Sequence, residues 1–546
     1  MILARRSAHI APLHPSAAPG LAGETSAPAR EPWAEELGPR WRPLTSLLLL
    51  MVATAGFVAP LIDPDLAIHL ATGGWIAQHG AVPRTEIFAW TRAGEPFYAY
   101  SWAIELVYYQ LWSAFGAAGL QALHGVLMAV TVASIAWLGQ VAGWRPWTTL
   151  LLATTHLLLA LTVSAYLRPQ LLLFIYLPVA WVLTLVAWRA PSLRSRRALA
   201  ALAGLALVSC LASNTHLLFP LTGLPLGLVA LTAPRLDLKR AAVIALALVA
   251  GWVLSPYTLV WPGMAQQYLS GNALLTFPSP ITEYRPGFSR VWGSGIAVNV
   301  LFLVALPWLL AAPGVAPLTV RERVWYGLAW TAGLITFAGV VRGLVIWWVA
   351  LLPLLARPLD ALPPISATSR RLRVAVLLLL MLTVNVRMVV AARRAAALHD
   401  PDARSLPTLT GASVEPFVDY LERTMRPGAR GKVFTIFEYG GYLTWRAPAL
   451  SPSIDGRTFF PDSIAGAETY HKPFNPPRTQ GPWRSADLAI VPLTFHVAAV
   501  LDTATGWRRI ATTPATARKG TVRSGLWVRE AWWARVRQPR PAEAGR

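Results

Sequence analysis

Long apolar runs separated by short polar loops dominate residues 43–392. About eleven of them, starting near residues 43, 117, 147, 170, 198, 217, 241, 294, 326, 344 and 374, approach the roughly 20 residues that a helix needs to cross a bilayer. The pattern predicts a mostly α protein, a polytopic bundle of membrane helices. Between the first two runs lies a long segment, 63–116, of different texture, with helices predicted over 65–79 and 101–115. The second, SWAIELVYYQLW, is rich in Trp, Tyr and Leu and suits a helix lying in the membrane interface. Were it a plain continuation of the following span, Glu105 would lie deep in lipid, at high cost.

From about residue 393 the pattern changes again. KVFTIF at 432–437 reads as a buried strand, EYGGYLTWR as a turn into a short helix, LSPSIDGR as a strand and turn, and DLAIVP as a third strand. WRRIATTP and SGLWVRE would close a hairpin at the sheet edge. Residues 393–546 are therefore expected to form a small water-soluble α/β domain. Residues 1–42, rich in Ala, Pro and charged side chains, read as a disordered cytoplasmic tail with no cleaved signal peptide.

Composition sharpens this picture. With 55% hydrophobic residues, 14% charged residues and a mean hydropathy of +0.47, the chain is too apolar to face water alone. A net charge of +22 would suggest nucleic acid in a soluble protein, but here the arginines cluster in alternate short loops. Arg145, Arg189, Arg194, Arg235, Arg321, Arg357 and Arg370 all fall on one side. That side is the cytoplasm by the positive-inside rule, which places 63–116 outside and, with an odd number of spans, exports the C-terminal domain. Arg387, Arg393 and Arg394 run against the rule and are outvoted by the earlier loops. A lone cysteine, Cys210, excludes an intramolecular disulfide and any cysteine-pair metal site.

The candidate chemistry gathers in the first outer loop. Asp63 and Asp65 flank a proline that cannot continue an interior helix, so they mark the exit from the membrane. On a helix over 65–79, Asp65 and His69 share a face, which would bring a base and an orienter within reach, while an N-capping Asp beside an interfacial His explains the same spacing. Asn214 and His216 sit at an outer turn and suit either sugar hydroxyls or plain turn chemistry. GARGK at 428–432 lacks the spacing of a phosphate loop, Gly440, Gly441 and Asp455-Gly456-Arg457 read as turns, and no dinucleotide or zinc motif occurs.

The run DPDLAIHLATGGWIAQHGAVPRTEIFAWTRAGEPFYAYSWAIEL, 63–106, resembles the first outer loop of bacterial polytopic proteins of the GT-C glycosyltransferase superfamily. The resemblance continues in LRPQLLLF (167–174), SNTHLLFPLTGL (213–224), PITEYRPGF (280–288), VVRGLVIWWVALLPLLA (340–356), FEYGGYLTWRAP (437–448) and SIDGRT (453–458). The chain departs from the pattern at Leu66-Ala67-Ile68, where members carry paired tryptophans, at Tyr100-Ser101, where they carry His-Glu, and at Glu86, where they carry Asp.

The resemblance implies a membrane enzyme that takes a sugar from a polyprenyl phosphate, with Asp63 or Asp65 as the base of a single inverting displacement. A cation would then steady the departing phosphate. Arg168, Arg285 and Arg342 are candidates, since each interrupts or borders outer-side apolar sequence, although snorkelling or topology-setting accounts equally for such arginines. Glu283 and Arg285 would pair in the same cleft or contact the acceptor. His69 and Glu86 complete the set of expected substrate contacts. Asp63, Asp65, His69 and Glu86 are of the right type for a divalent cation, but a lipid-phosphate donor needs none, so no cofactor is expected. Expected partners are a polyprenyl-phosphate-linked sugar, membrane lipid and an unidentified glycan, lipid or protein acceptor, with no nucleic acid. Two other classes fit a chain of this composition: a transporter or flippase, for which intramembrane carboxylates are the usual mark and none occurs in the predicted spans, and a non-catalytic scaffold.

Overall fold

The computed structural model describes residues 61, 63–163, 167–271, 297–339, 343–361, 409–455, 457, 481–513 and 523–538, with isolated helical positions at 375, 379, 382, 386 and 390. The expected runs at 43 and, apart from those positions, 374 lie outside it.

The first described helix, α1 (Pro64–His79), has clear signals at both ends. Asp63 caps it, accepting from the Asp65 N–H at 3.1 Å, and Pro64 opens it at the position where a missing N–H costs nothing. Gly80 closes it at φ 61°, in the left-handed region that glycine enters without strain. The helix α2 (Trp102–Ala142) follows a folded-back loop in which Thr85 bridges Pro96. It is broken at Gly116 (φ 60°, ψ −145°), which separates the aromatic segment 102–115 from the apolar run predicted from 117. Glu105 is buried against α1 rather than in lipid, because the break lets the first segment lie along that helix. Gly73 makes the approach possible: a Cβ there would sit 2.1 Å from the Glu105 carbonyl oxygen. Gly73→Ala is expected to destabilise the fold by about 1–3 kcal/mol, read as a lowered melting temperature in detergent.

The bundle continues through α3 (Pro146–Val163), α4 (Leu173–Arg189, led by a 3-10 turn Pro169–Leu172), α5 (Arg196–Ser213), α6 (Leu224–Thr232), α7 (Leu238–Trp252), α8 (Trp261–Gly271), α9 (Ala297–Leu310), α10 (Val320–Gly339) and α11 (Gly343–Asp360). Every described apolar run is thus helical. Four of these elements are long and apolar enough to cross a membrane by length and composition: α2, α4 with its leading turn, α5 and α11. Of the others, α9 has 14 described residues, and α10, 20 residues long, opens on Arg321, Glu322 and Arg323.

Helices α4 and α11 occupy the centre and are joined where Trp181 Nε1 donates to the Val349 carbonyl at 3.0 Å. In lipid there is little hydrophobic drive between helices, so close backbone approach and polar ties hold them. A Cβ on Gly251 of α7 would meet the Ala206 carbonyl of α5 at 2.1 Å, and His156 Nε2 on α3 lies 2.9 Å from the Phe174 carbonyl of α4.

The C-terminal part contains α12 (Leu409–Thr424), β1 (Gly431–Thr435), α13 (Phe437–Arg446), β2 (Leu450–Pro452), β3 (Leu488–Pro492), α14 (His496–Thr503), β4 (Trp507–Thr512), β5 (Ser524–Arg529) and α15 (Glu530–Val536). The sheet order is β2-β1-β3-β5-β4, parallel among the first three strands and antiparallel beyond. The continuous apolar sequence of β3 follows from burial on both faces, and β4 with β5 forms the predicted edge hairpin. Helix α13 packs directly on α1. Gly440 permits an equally close contact within the α/β part, since a Cβ there would meet the Ile454 carbonyl oxygen at 1.8 Å.

Candidate active site

The two aspartates predicted from the first loop meet Arg168, which the chain brings from 105 residues away. Arg168 Nη2 donates to Asp63 Oδ1 at 2.7 Å and lies 3.0 Å from Asp65 Oδ2, while its Nε donates to Asp63 Oδ2. Asp63 caps the start of α1 and Arg168 precedes the 3-10 turn into α4, so the start of one helix and the turn into another fix the geometry. The carboxylates differ in environment. The Asp63 side chain is 1% exposed and accepts three hydrogen bonds, whereas that of Asp65 is 26% exposed.

His69 lies one turn along α1 from Asp65, as the helical spacing requires, but its bonded partner is Glu105. His69 Nδ1 donates to Glu105 Oε1 at 2.8 Å, and the Tyr108 ring meets the imidazole edge-on with centroids 6.3 Å apart. Glu105 Oε2 and Tyr108 Oη are buried with no hydrogen-bond partner. Burial of the ring pushes His69 toward neutrality, but the bond to Glu105, its charge and the more remote charges of Asp65 and Asp63 outweigh this and hold the imidazole pKa above its usual 6.5. A pKa raised by folding stabilises the fold fully below the unfolded value and loses that contribution as pH rises through the folded value. Stability is therefore expected to fall as pH is raised past about 6.5, a slope that Glu105→Gln should flatten in thermal unfolding at graded pH.

Glu86 belongs to a second cluster. Its Oε1 accepts the Phe88 and Ala89 N–H groups at 2.7 and 2.8 Å and Arg457 Nη2 at 2.6 Å. Arg457 also grips Asp455, Nε to Oδ1 at 2.8 Å, and stacks over Phe97 and Phe88 at 4.4 and 5.2 Å. Burial opposes the Arg457 charge, yet Asp455 and Glu86 more than compensate and hold its pKa well above the ordinary arginine value. Around this trio the loop and the sheet exchange backbone-directed bonds: Trp90 Nε1 to the Val433 carbonyl at 3.2 Å, Ser451 Oγ to the Phe88 carbonyl and Thr91 Oγ1 to the Ser453 carbonyl. Glu86 thus sits where the loop docks on the α/β part, and Arg457, held by Asp455, supplies its counter-charge.

The remaining predicted residues divide. Asn214 caps the end of α5 and ties it to α2, accepting from Trp102 Nε1 at 2.8 Å and donating to the Cys210 carbonyl at 2.8 Å. His216 Nδ1 accepts the Leu218 N–H at 3.0 Å, with Tyr100 edge-on to its ring. Both sit at the expected turn; the bonds to the Cys210 carbonyl and the Leu218 N–H are turn chemistry, and the Trp102 bond ties two helices. Glu283, Arg285 and Arg342 lie outside the described residues. Among the described residues no three His, Cys, Asp or Glu side chains gather as a metal-ligand set. Glu105, Tyr108 and Arg457 were not singled out for the site by sequence. An acidic residue in an otherwise aromatic helix was the signal for the first, and the pairing of SIDGRT with the loop carried none.

No family model matches the sequence, and no curated protein matches it. Solved structures do. The arabinofuranosyltransferase AftD from Mycobacteria superposes with a TM-score of 0.51 at 13% identity, covering 89% of this chain and 41% of that one, so the chain spans about two-fifths of AftD. ArnT from Cupriavidus metallidurans, in the apo state, gives a TM-score of 0.42 at 12% identity over 90% of this chain and 98% of that one. At that identity the likeness shows a shared fold: the chain folds as the matched part of AftD does.

Proposed function

We propose that the protein is a membrane glycosyltransferase that moves a sugar from a polyprenyl phosphate to an acceptor at the outer face of the cytoplasmic membrane. In this reading the chain crosses the bilayer about eleven times, with its N-terminus cytoplasmic and residues 393–546 outside. The acceptor hydroxyl oxygen bonds to the anomeric carbon as the bond from that carbon to the phosphate oxygen breaks. Asp65 takes the hydroxyl proton and the lipid phosphate leaves with the electron pair, which inverts the anomeric centre. Asp63 holds Arg168, and Arg168 orients Asp65.

The observation that carries this reading is the convergence of Asp63, Asp65 and Arg168 at the mouth of the first loop. A buried aspartate locked by a bidentate guanidinium is a fixed support beside a second, more exposed carboxylate oriented by the same guanidinium. The test is transfer from a panel of radiolabelled polyprenyl-phosphate sugars by the purified protein in lipid. Transfer lost in Asp65→Asn with the fold retained is the expected result. No transfer from any donor across a broad acceptor panel would overturn the reading in favour of a transporter or a scaffold.

A further inference from the structure

A cleft of about 440 Å³ opens in the C-terminal α/β part and shares no residue with the candidate active site. That volume falls within the roughly 300–1,000 Å³ of small-molecule sites. Part of its lining is one face of α15 and the residue that closes it: Glu530, Trp533, Ala534 and Arg537 follow at the i, i+3, i+4, i+7 spacing of a helical stripe. Trp533 is buried and stacks on Tyr420 of α12, with ring centroids 6.4 Å apart. The cleft therefore has a fixed aromatic floor.

Arg426 and Gln538 join the lining through a short antiparallel pairing of the chain beyond α12 with the end of α15. Met425 bridges Arg537, and the Arg426 N–H donates to the Val536 carbonyl at 2.8 Å and its Nε to the Arg537 carbonyl at 3.2 Å. Gln538 donates through its N–H to the Thr424 carbonyl and through Nε2 to the Met425 carbonyl, both at 2.8 Å. Arg508 comes from β4. Successive strand residues face opposite ways, so Arg509 turns to Asp502 and the Trp527 ring while Arg508 turns to the cleft.

Two guanidiniums thus line one cleft, and among the described residues neither Arg426 nor Arg508 makes an ion pair. With Nε of Arg426 occupied by a carbonyl, its terminal nitrogens remain for a ligand. Each guanidinium is a planar fork that matches two oxygens of an oxyanion. A carboxylate satisfies one such fork, whereas the tetrahedral oxygens of a phosphate engage two. Glu530 limits the attraction, because its carboxylate lines the same cleft and repels a bound anion.

We propose that this cleft is a binding site for a phosphate group, gripped by Arg426 and Arg508 over the Trp533 floor. The phosphate arrives on a lipid headgroup or in free solution, and the chemistry of capture is common to both. The site stands whether or not the chain transfers sugar.

Both sources are tested on the full chain in a maltoside detergent. Isothermal titration with inorganic phosphate measures the soluble form, and native mass spectrometry with phosphatidylglycerol, against phosphatidylcholine, measures the headgroup. Wild type is compared with Arg426→Gln, Arg508→Gln, Glu530→Gln and Arg423→Gln, the last an exposed arginine of α12 outside the cleft. Each cleft arginine variant should weaken binding about fivefold, between the effect of an exposed ion pair and that of a charge-assisted hydrogen bond. Glu530→Gln should tighten it about twofold, a gain that misfolding does not produce, and Arg423→Gln should match wild type. Melting temperatures identify any variant that fails to fold. Dependence on Arg426 and Arg508 in the titration assigns a free phosphate, and the same dependence in phosphatidylglycerol retention assigns a headgroup. Absence of binding in both measurements, or binding that Arg423→Gln weakens as much as the cleft variants do, would overturn the proposal.

Discussion

Asp65→Asn is expected to lower sugar transfer by about 10²–10⁴-fold, the usual contribution of a positioned general base, with the fold intact. The substitution keeps the shape of the side chain and an oxygen that Arg168 can still reach, so the loss would report the proton acceptor rather than a collapsed loop. Asp63→Asn is expected to behave differently. Asparagine caps a helix as well as aspartate does, so α1 should still start at Pro64. What it loses is the charge opposite a guanidinium that is 13% exposed, and charge-assisted hydrogen bonds of this kind contribute about 1.5–3 kcal/mol. Its signature is therefore a lowered melting temperature with partial transfer. Full stability and no transfer in Asp63→Asn, with near-normal transfer in Asp65→Asn, would reverse the assignment of the base.

Arg457→Met is expected to cost about 3–5 kcal/mol, because it leaves Glu86 and Asp455 buried without their shared cation. Methionine fills much of the space over Phe88 and Phe97, so the loss measures charge rather than a cavity. Adding Glu86→Gln to the same chain should recover part of it, since one fewer unpaired carboxylate then remains buried. Unfolding in detergent and proteolysis of the loop at 81–100 are the measurements. Transfer should fall as well: the docked loop leads from α1 into α2, and a displacement of about 1 Å at a catalytic group can lower the rate about 10²-fold. An Arg457→Met chain as stable as wild type would show that the backbone-directed bonds of Trp90, Thr91 and Ser451 hold the loop unaided.

Local elements were legible because their signals are local. Asp63, Pro64 and Gly80 delimit α1 within a residue of its predicted start, and the alternation of apolar and turn residues marks all five strands and the short helix between β1 and β2. The number of membrane crossings was less legible, since a 3-10 turn can take up part of an apolar run of spanning composition, as it does ahead of α6.

By itself the sequence determined the membrane class, the helical character of each described apolar run and the small sheet, and it singled out Asp63, Asp65 and His69 in the first loop and Arg168 ahead of α4. Only the tertiary structure decided how these residues pair. Helical spacing puts His69 beside Asp65, yet the imidazole bonds Glu105, 36 residues away, because the break at Gly116 and the bare face of Gly73 lay α2 against α1. Glu86 finds its counter-charge at Arg457, 371 residues on. Periodicity reports which face of an element is buried, whereas the partner a buried charge meets depends on which elements touch, and the cost of leaving such a charge unpaired makes that meeting specific.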